Sequence, residues 1–222
     1  MLVYSKTTGF RHVGSIESGQ VMLSEIADEY GFDVVFTETN EEFTIDGLSQ
    51  YEIVFFLNTT GDILNDTEQE SYEEWMTEHD GAFAGVHSAA DTENGWAFYS
   101  EVVGQYHDGH EACCPEANIE WDPAALDHVT VRGLPSPWTR SEEWFYFDRA
   151  AEWSSKPGFQ ILGRVSLNRG TQPVSYLREW GNFRAFYTSL GQEGSTFMDA
   201  DVKQHVAAGI LWAVRREHLL GE

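Results

Sequence analysis

Residues 82 to 92 read AFAGVHSAADT. A short uncharged run of small, apolar and aromatic residues passes straight into a histidine followed by small residues. This is the pattern of a buried strand that turns sharply into a helix. Further back, LVYS (residues 2 to 5), DVVFTE (33 to 38) and EIVFFLN (52 to 58) are runs of the same kind, bounded by turn residues, as expected of strands covered on both faces. Between them the loop KTTGFRH leads into a helix from about Ser15 to Tyr30, where Val21, Leu23, Ile26, Ala27 and Tyr30 recur at near-helical spacing before Gly31 stops it. Residues 39 to 50 hold a short helical connection at most. A second helix is expected from Asp66 to His79, with Asn65, Asp66 and Thr67 as cap candidates and Tyr72, Trp75 and Met76 as its inner face. Strands alternating with helices over the first 90 residues imply βαβ crossovers and a parallel sheet.

Downstream, Gly104 to Pro157 breaks this rhythm with short apolar pieces (NIEW, HVTV), turn signals and the aromatic run WFYF at residues 144 to 147. It reads as an insertion of loops and short strands beside the sheet. FQILGRV, PVSYL and RAFYTSL supply the last strands. A final helix from about Asp199 to Glu217 aligns Val202, Val206, Ile210 and Ala213 and places Arg215 and Arg216 near its negative end. No internal repeat or low-complexity linker interrupts the chain, so residues 1 to 222 are expected to form one domain.

The 222 residues carry 13 basic and 37 acidic side chains, a formal charge of −24. Such a surface repels phosphate backbones and anionic membranes, so neither nucleic acid nor membrane is an expected partner. Only Lys6, Lys156 and Lys203 are lysines; an acidic, lysine-poor surface fits either a high-salt habitat or an ordinary solvated face. Cys113 and Cys114 are adjacent, and across a trans peptide neighbouring Cα atoms stand about 3.8 Å apart, short of the usual disulfide span, so both are expected as reduced thiols. With no signal sequence and no apolar run of membrane-spanning length, the expected location is cytoplasmic.

In an open parallel sheet the ligand crevice lies beyond the carboxyl ends of the strands, near the point where strand order reverses. The informative loops are therefore KTTGFRH, HSAADT and LGQEGS. Gly85-Val86-His87-Ser88-Ala89 has the layout of a nucleophile elbow with histidine at its apex. Ser88 falls one place late and neither cysteine lies here, which argues against an activated Ser or Cys nucleophile. A histidine at that apex can act as general base or acid, serve as a metal ligand, or simply position the loop.

SKTTGFRH (residues 5 to 12), GVHSAADT (85 to 92), QYHDGH (105 to 110), EEWFYF (142 to 147), GNFRAFYTSLG (181 to 191) and the helical ending HVAAGILWA (205 to 213) follow the order of the motif series of ThuA-like (trehalose-utilisation) proteins, which the chain resembles over almost its whole length. The resemblance implies a doubly wound, mostly parallel α/β sheet flanked by helices, flavodoxin-like or class I glutamine amidotransferase-like, without the cysteine nucleophile. It also implies a part in the use of trehalose or its 3-keto derivatives. Residue by residue it points to His12, His87, Ser88, Asp91, His110, Glu143, Tyr187 and Gly191. Where the family commonly has Leu-Gly-His, this chain has Leu190-Gly191-Gln192, and glutamine neither titrates nor ligates metals well.

On these grounds His87, His110, Glu143 and Asp91 are the expected catalytic residues, and His12, Ser88, Trp144, Tyr187 and Gln192 the expected substrate contacts. His12 with Arg11 has an equal alternative as an anion site or helix cap. His107 is expected on the surface, and the aromatic run is at least as readable as core as it is as a sugar platform. The preferred function is acid–base chemistry on a disaccharide or keto-sugar, with a small-molecule sugar as partner and no required cofactor, although a divalent metal on His87, His110 and Glu143 is compatible. The alternatives are a non-catalytic sugar-binding or regulatory module and a metal-dependent hydrolase.

Overall fold

The computed structural model describes residues 1–104, 106–148 and 155–221. Gln105 of the QYHDGH motif and residues 149–154 of the expected insertion lie outside the described residues.

The first half follows the expected alternation. Strand β1 (Leu2–Tyr4), helix α1 (Val13–Tyr30), β2 (Val35–Thr37), the short α2 (Ile45–Leu48), β3 (Ile53–Leu57), α3 (Asp66–Glu78) and β4 (Ala82–Val86) build a parallel sheet in the order β2-β1-β3-β4. Gly31, at φ 71°, ends α1 in the left-handed region that glycine reaches without steric cost. At the start of α3, Asn65 accepts from the backbone of Thr67 and Glu68 while the Glu68 carboxylate returns to the Asn65 amide, a capping box.

Side chains alternate across each strand, and the core accordingly divides into two layers. Val3, Phe55, Leu57, Ala84 and Val86 pack on the face covered by α1 and the last helix, α5 (Ala200–Ala213); Leu2, Tyr4, Val54, Phe56 and Phe83 pack on the face covered by α3 and α4 (Ala97–Val103). Both faces of the sheet are covered, as a doubly wound sheet requires. Strand β2 departs from the expected burial: it is the sheet's edge, and Val35 and Phe36 are exposed because no strand lies beyond them.

The second half extends the same sheet. Strands β9 (Phe159–Leu167), β10 (Gly170–Trp180) and β11 (Phe183–Thr188) form an antiparallel meander whose last strand lies parallel to β4. The expected insertion does not sit wholly beside the sheet: β6 (Glu116–Trp121) pairs with β9 and β7 (Trp138–Ser141) with β6, giving one nine-stranded sheet in which only β6 and β10 run against the rest. Its remaining strands, β5 (His107–His110) and β8 (Phe145–Phe147), pair with each other in a separate two-stranded ribbon.

Two further expectations need correction. Helix α5 ends at Ala213, so Arg215 and Arg216 lie beyond it; Arg215 takes φ 59° and donates to the Asn182 carbonyl, while Arg216 pairs with Glu52. Cys113 and Cys114 are joined by a cis peptide that brings their Cα atoms to 3.0 Å, and their sulfur atoms are in bonding contact, so the argument from trans geometry does not hold. Among the described residues no helix is long and apolar enough to cross a membrane.

Candidate active site

The carboxyl ends of β1, β3, β4 and β11 open onto one hollow of about 340 Å³. Four short loops leave the sheet there, carrying His12, Thr60, the turn 87–91 and Gln192; the β5/β8 ribbon closes over them with His107, His110 and Phe145, and Glu143 comes from the segment just before β8.

His87 follows β4 with φ 48°, a left-handed conformation that places its ring above the strand end. Its backbone oxygen accepts from the Tyr187 hydroxyl at 2.7 Å, which holds the turn from below. The imidazole is fully buried and has no surface in the hollow. Phe145 covers one ring face (centroids 4.5 Å apart), and the ring's Nδ1 lies 3.0 Å from the Ser189 carbonyl, which can only accept, so Nδ1 carries a proton. Nε2 faces Gln192 Oε1 at 2.9 Å and Glu143 Oε2 at 3.4 Å. The expected apex histidine thus sits behind the wall of the hollow and reaches it through Glu143 and Gln192.

Glu143 links two imidazoles, because its other oxygen, Oε1, lies 3.4 Å from His110 Nδ1. Burial opposes ionisation of this carboxyl, but the hydrogen bond and charge of His87, with His110 and His12 behind it, hold it below the usual carboxylate range. His110 is half-exposed, and its Nδ1 donates to the Glu111 carbonyl at 2.7 Å, which leaves Nε2 free. His12 is half-buried at the start of α1 and its side chain makes no capping bond, so the helix-cap reading does not apply; Arg11 is engaged with Glu38 and the Ser5 carbonyl. Burial, then the neighbouring His87, lowers the His12 pKa to about 4.

Asp91 stands across the hollow with its Oδ1 3.8 Å from His107 Nδ1. Burial works against its ionisation, while His107, Asn94 and His12 outweigh that and keep its carboxyl low. Ser88 also lines the hollow, with a buried hydroxyl that has no hydrogen-bond partner among the described residues.

His87, His110, Glu143, Asp91, His12, Ser88 and Gln192 therefore gather at one place. Trp144 and Tyr187 do not line the hollow. Alternation along EEWFYF turns Glu143 and Phe145 toward it and Trp144 into the opposite core layer, where its indole Nε1 donates to the Pro115 carbonyl at 2.8 Å. Tyr187 is buried beneath the His87 turn.

Sequence reasoning missed His107, Phe10, Phe145 and Glu142. His107 lines the hollow because Gly109, at φ 96°, bulges β5 between the two histidines, so both rings stack on one side with centroids 6.0 Å apart. The glycine was the available signal. Glu142 is buried behind the site, where it accepts from Thr196 Oγ1 at 2.6 Å and from the backbone amides of Gly191 and Gln192 at 3.4 Å. As for a divalent metal, among the described residues no three His, Cys, Asp or Glu side chains converge as ligands of one ion.

The sequence pattern of the ThuA family, described as trehalose utilisation, matches residues 1–213. The chain belongs to the ThuA family. No curated protein matches it. Among solved structures, this ThuA protein is similar to a ThuA-like protein of Bacteroides uniformis (TM-score 0.81, 18% identity, 96% of this chain and 89% of that one). A ThuA-like protein of Parabacteroides merdae is similar too (TM-score 0.73, 18% identity, 96% and 88%). A β-galactosidase of Bacillus circulans shares the fold over 98% of this chain but 31% of its own (TM-score 0.58, 14% identity). At these identities the solved structures show the ThuA fold alone.

Proposed function

We propose that this ThuA protein takes a disaccharide or keto-sugar into the hollow and cleaves it by acid–base chemistry centred on Glu143 and His110, with no cofactor required. The observation that carries the reading is the Glu143 carboxylate, bridging a buried imidazole and an open one at the wall of a cavity within the size range of small-ligand sites. The description of the family as trehalose utilisation supports a sugar ligand.

A carbonyl at C3 acidifies the C2 proton. Glu143 removes that proton, and the electron pair enters the C2–C3 bond as the carbonyl oxygen takes up charge. Collapse of this enolate forms the C1–C2 double bond and expels the anomeric oxygen, which takes a proton from His110. Water then adds across C1–C2: its hydroxyl joins C1 as His110 takes its proton, and Glu143 returns the abstracted proton to C2, so both side chains are restored and the net reaction is hydrolysis. His87 touches no substrate in this scheme; it holds and tunes Glu143. Ser88, Gln192 and Asp91 supply polar contacts around the sugar.

The sealing of His87 favours a second reading, a sugar-binding module without turnover. Incubating the purified protein with 3-keto-trehalose and with trehalose, and following both products and binding heat, separates the two. Products that vanish in Glu143→Gln support the enzyme; binding with no product after long incubation defeats it.

A further inference from the structure

The chain's two cysteines stand side by side in the loop 111–115 that joins β5 to β6. Both ends of that loop hold the neighbour of Glu143: the Glu111 N–H donates to the Trp144 carbonyl at 2.9 Å, and the Trp144 indole donates to the Pro115 carbonyl at 2.8 Å. The Glu111 carbonyl also accepts from His110 Nδ1, and its carboxylate accepts from the Asn168 backbone and side-chain amides at 2.9 Å and from the Tyr146 hydroxyl. Loop 111–115 is therefore the backing against which His110 and Glu143 are set. Between its two anchor points lie Cys113, open to solvent, and Cys114, half-buried, with their sulfur atoms in bonding contact. A bond between adjacent residues closes no long loop, so it restricts the unfolded chain little and cannot tie distant segments together. Its effect is confined to the loop itself.

We propose that Cys113 and Cys114 are a redox-active dithiol site that takes a low-molecular-weight disulfide as its oxidant and governs how firmly His110 and Glu143 are held. The Cys113 thiolate, the more accessible of the two, attacks one sulfur of the reagent; the first thiol leaves, and a mixed disulfide remains on Cys113. Cys114 then loses its proton and attacks the Cys113 sulfur, the second thiol leaves, and the Cys113–Cys114 bond is made. Two electrons pass from the pair to the reagent, and the two cysteine protons end on the two released thiols. Excess thiol reverses both steps. With the bond closed, the peptide between the cysteines belongs to a small ring and loses torsional freedom. With the bond open, the middle of the loop regains that freedom, and ordering it against Trp144 costs more conformational entropy. The dithiol site stands on the geometry of the loop alone; its effect on turnover rests on the acid–base reading above.

The test treats the full chain with glutathione disulfide or with dithiothreitol, alongside a Cys113→Ser/Cys114→Ser double variant that controls for folding and for oxidation elsewhere. Alkylation followed by mass spectrometry of the peptide counts the free thiols. The His110 ring signals of histidine-labelled protein, assigned with His110→Gln, and kcat on 3-keto-trehalose are read in both states. Glutathione disulfide should protect both cysteines of wild type from alkylation, and dithiothreitol should free both. Between the two states the His110 signals should shift, and kcat should fall several-fold on reduction as the anchors loosen. The double variant should match reduced wild type in either buffer. A pair that ends as mixed glutathione adducts, or that does not react, overturns the dithiol site. Complete, reversible oxidation that moves neither the His110 signals nor kcat overturns its hold on His110 and Glu143. Absence of turnover in both states, with the His110 signals still shifting, sinks the acid–base reading and leaves the dithiol site standing.

Discussion

His87 Nε2 lies 3.4 Å from Glu143 Oε2 although His87 has no surface in the hollow. The residue at the apex of the strand-to-helix turn meets the hollow only at one remove, through a carboxylate on the segment that links β7 to β8. Removing that imidazole leaves burial as the dominant influence on Glu143, so its pKa rises. In His87→Ala the acid limb of the rate profile should move to higher pH. Glu143→Gln should instead lower kcat by roughly 10²–10⁴-fold at every pH with little change in Tm. An unmoved acid limb in an active His87→Ala protein removes the link between the two residues.

The loop that carries Gln192 depends on a buried carboxylate. Glu142→Ala leaves the Thr196 hydroxyl and the Gly191 and Gln192 amides without their acceptor, a loss of about 1–3 kcal/mol in denaturant unfolding. Gly191→Ala should also destabilise the protein, since φ is 127° there and an added Cβ would stand 2.8 Å from the Phe197 ring. In both variants KM should rise along with the loss of stability. A loop that keeps full affinity in Glu142→Ala refutes this support role.

Two aromatic residues separate core from contact surface. Trp144→Ala empties a fully buried site and should cost about 3–5 kcal/mol. Phe10 lines the hollow and is 71% exposed, so Phe10→Ala should raise KM several-fold and leave Tm nearly unchanged. Thermal melts and steady-state kinetics on the two variants decide the matter; a sugar affinity that follows Trp144 and ignores Phe10 reverses it.

Acid should weaken the fold before the carboxylates titrate. His205 is fully buried, its Nδ1 donating to the Thr130 carbonyl, and burial lowers its pKa to about 4. Because the folded-state pKa lies below the unfolded value near 6.5, the unfolded chain binds the proton first. The contribution is fully present above pH 6.5 and is lost as pH falls toward 4, up to about 3 kcal/mol. His12 and His128, lowered by burial as well, act in the same direction. Glu143, Asp91 and Asp199 have depressed pKa values, so their contributions fade only below about pH 4.5. Unfolding free energies measured between pH 7 and 4.5 should slope downward in wild type and flatten in His205→Gln; an equal slope in both discounts His205.

The parallel half of the sheet was legible because its determinants are local. Near-continuous apolar runs at residues 2–5, 52–58 and 82–86 specify strands with two buried faces, Gly31 and the Asn65–Glu68 box specify helix ends, and the small residues around His87 specify its turn. The same period of two within EEWFYF already divides Glu143 and Phe145 from Trp144, once it is known which side is covered. That knowledge lies in contacts between distant segments. Only the tertiary structure decided that β6 and β7 join the main sheet, that β2 is left at its edge, and that the ribbon holding His107 and Phe145, with Glu143 just before it, folds over the strand ends to bury His87 under Phe145. Hydrophobic pattern and turn chemistry dictate what a segment becomes, whereas the meeting of residue 87 with residues 143 and 192 depends on how whole elements pack, and no local signal encodes that.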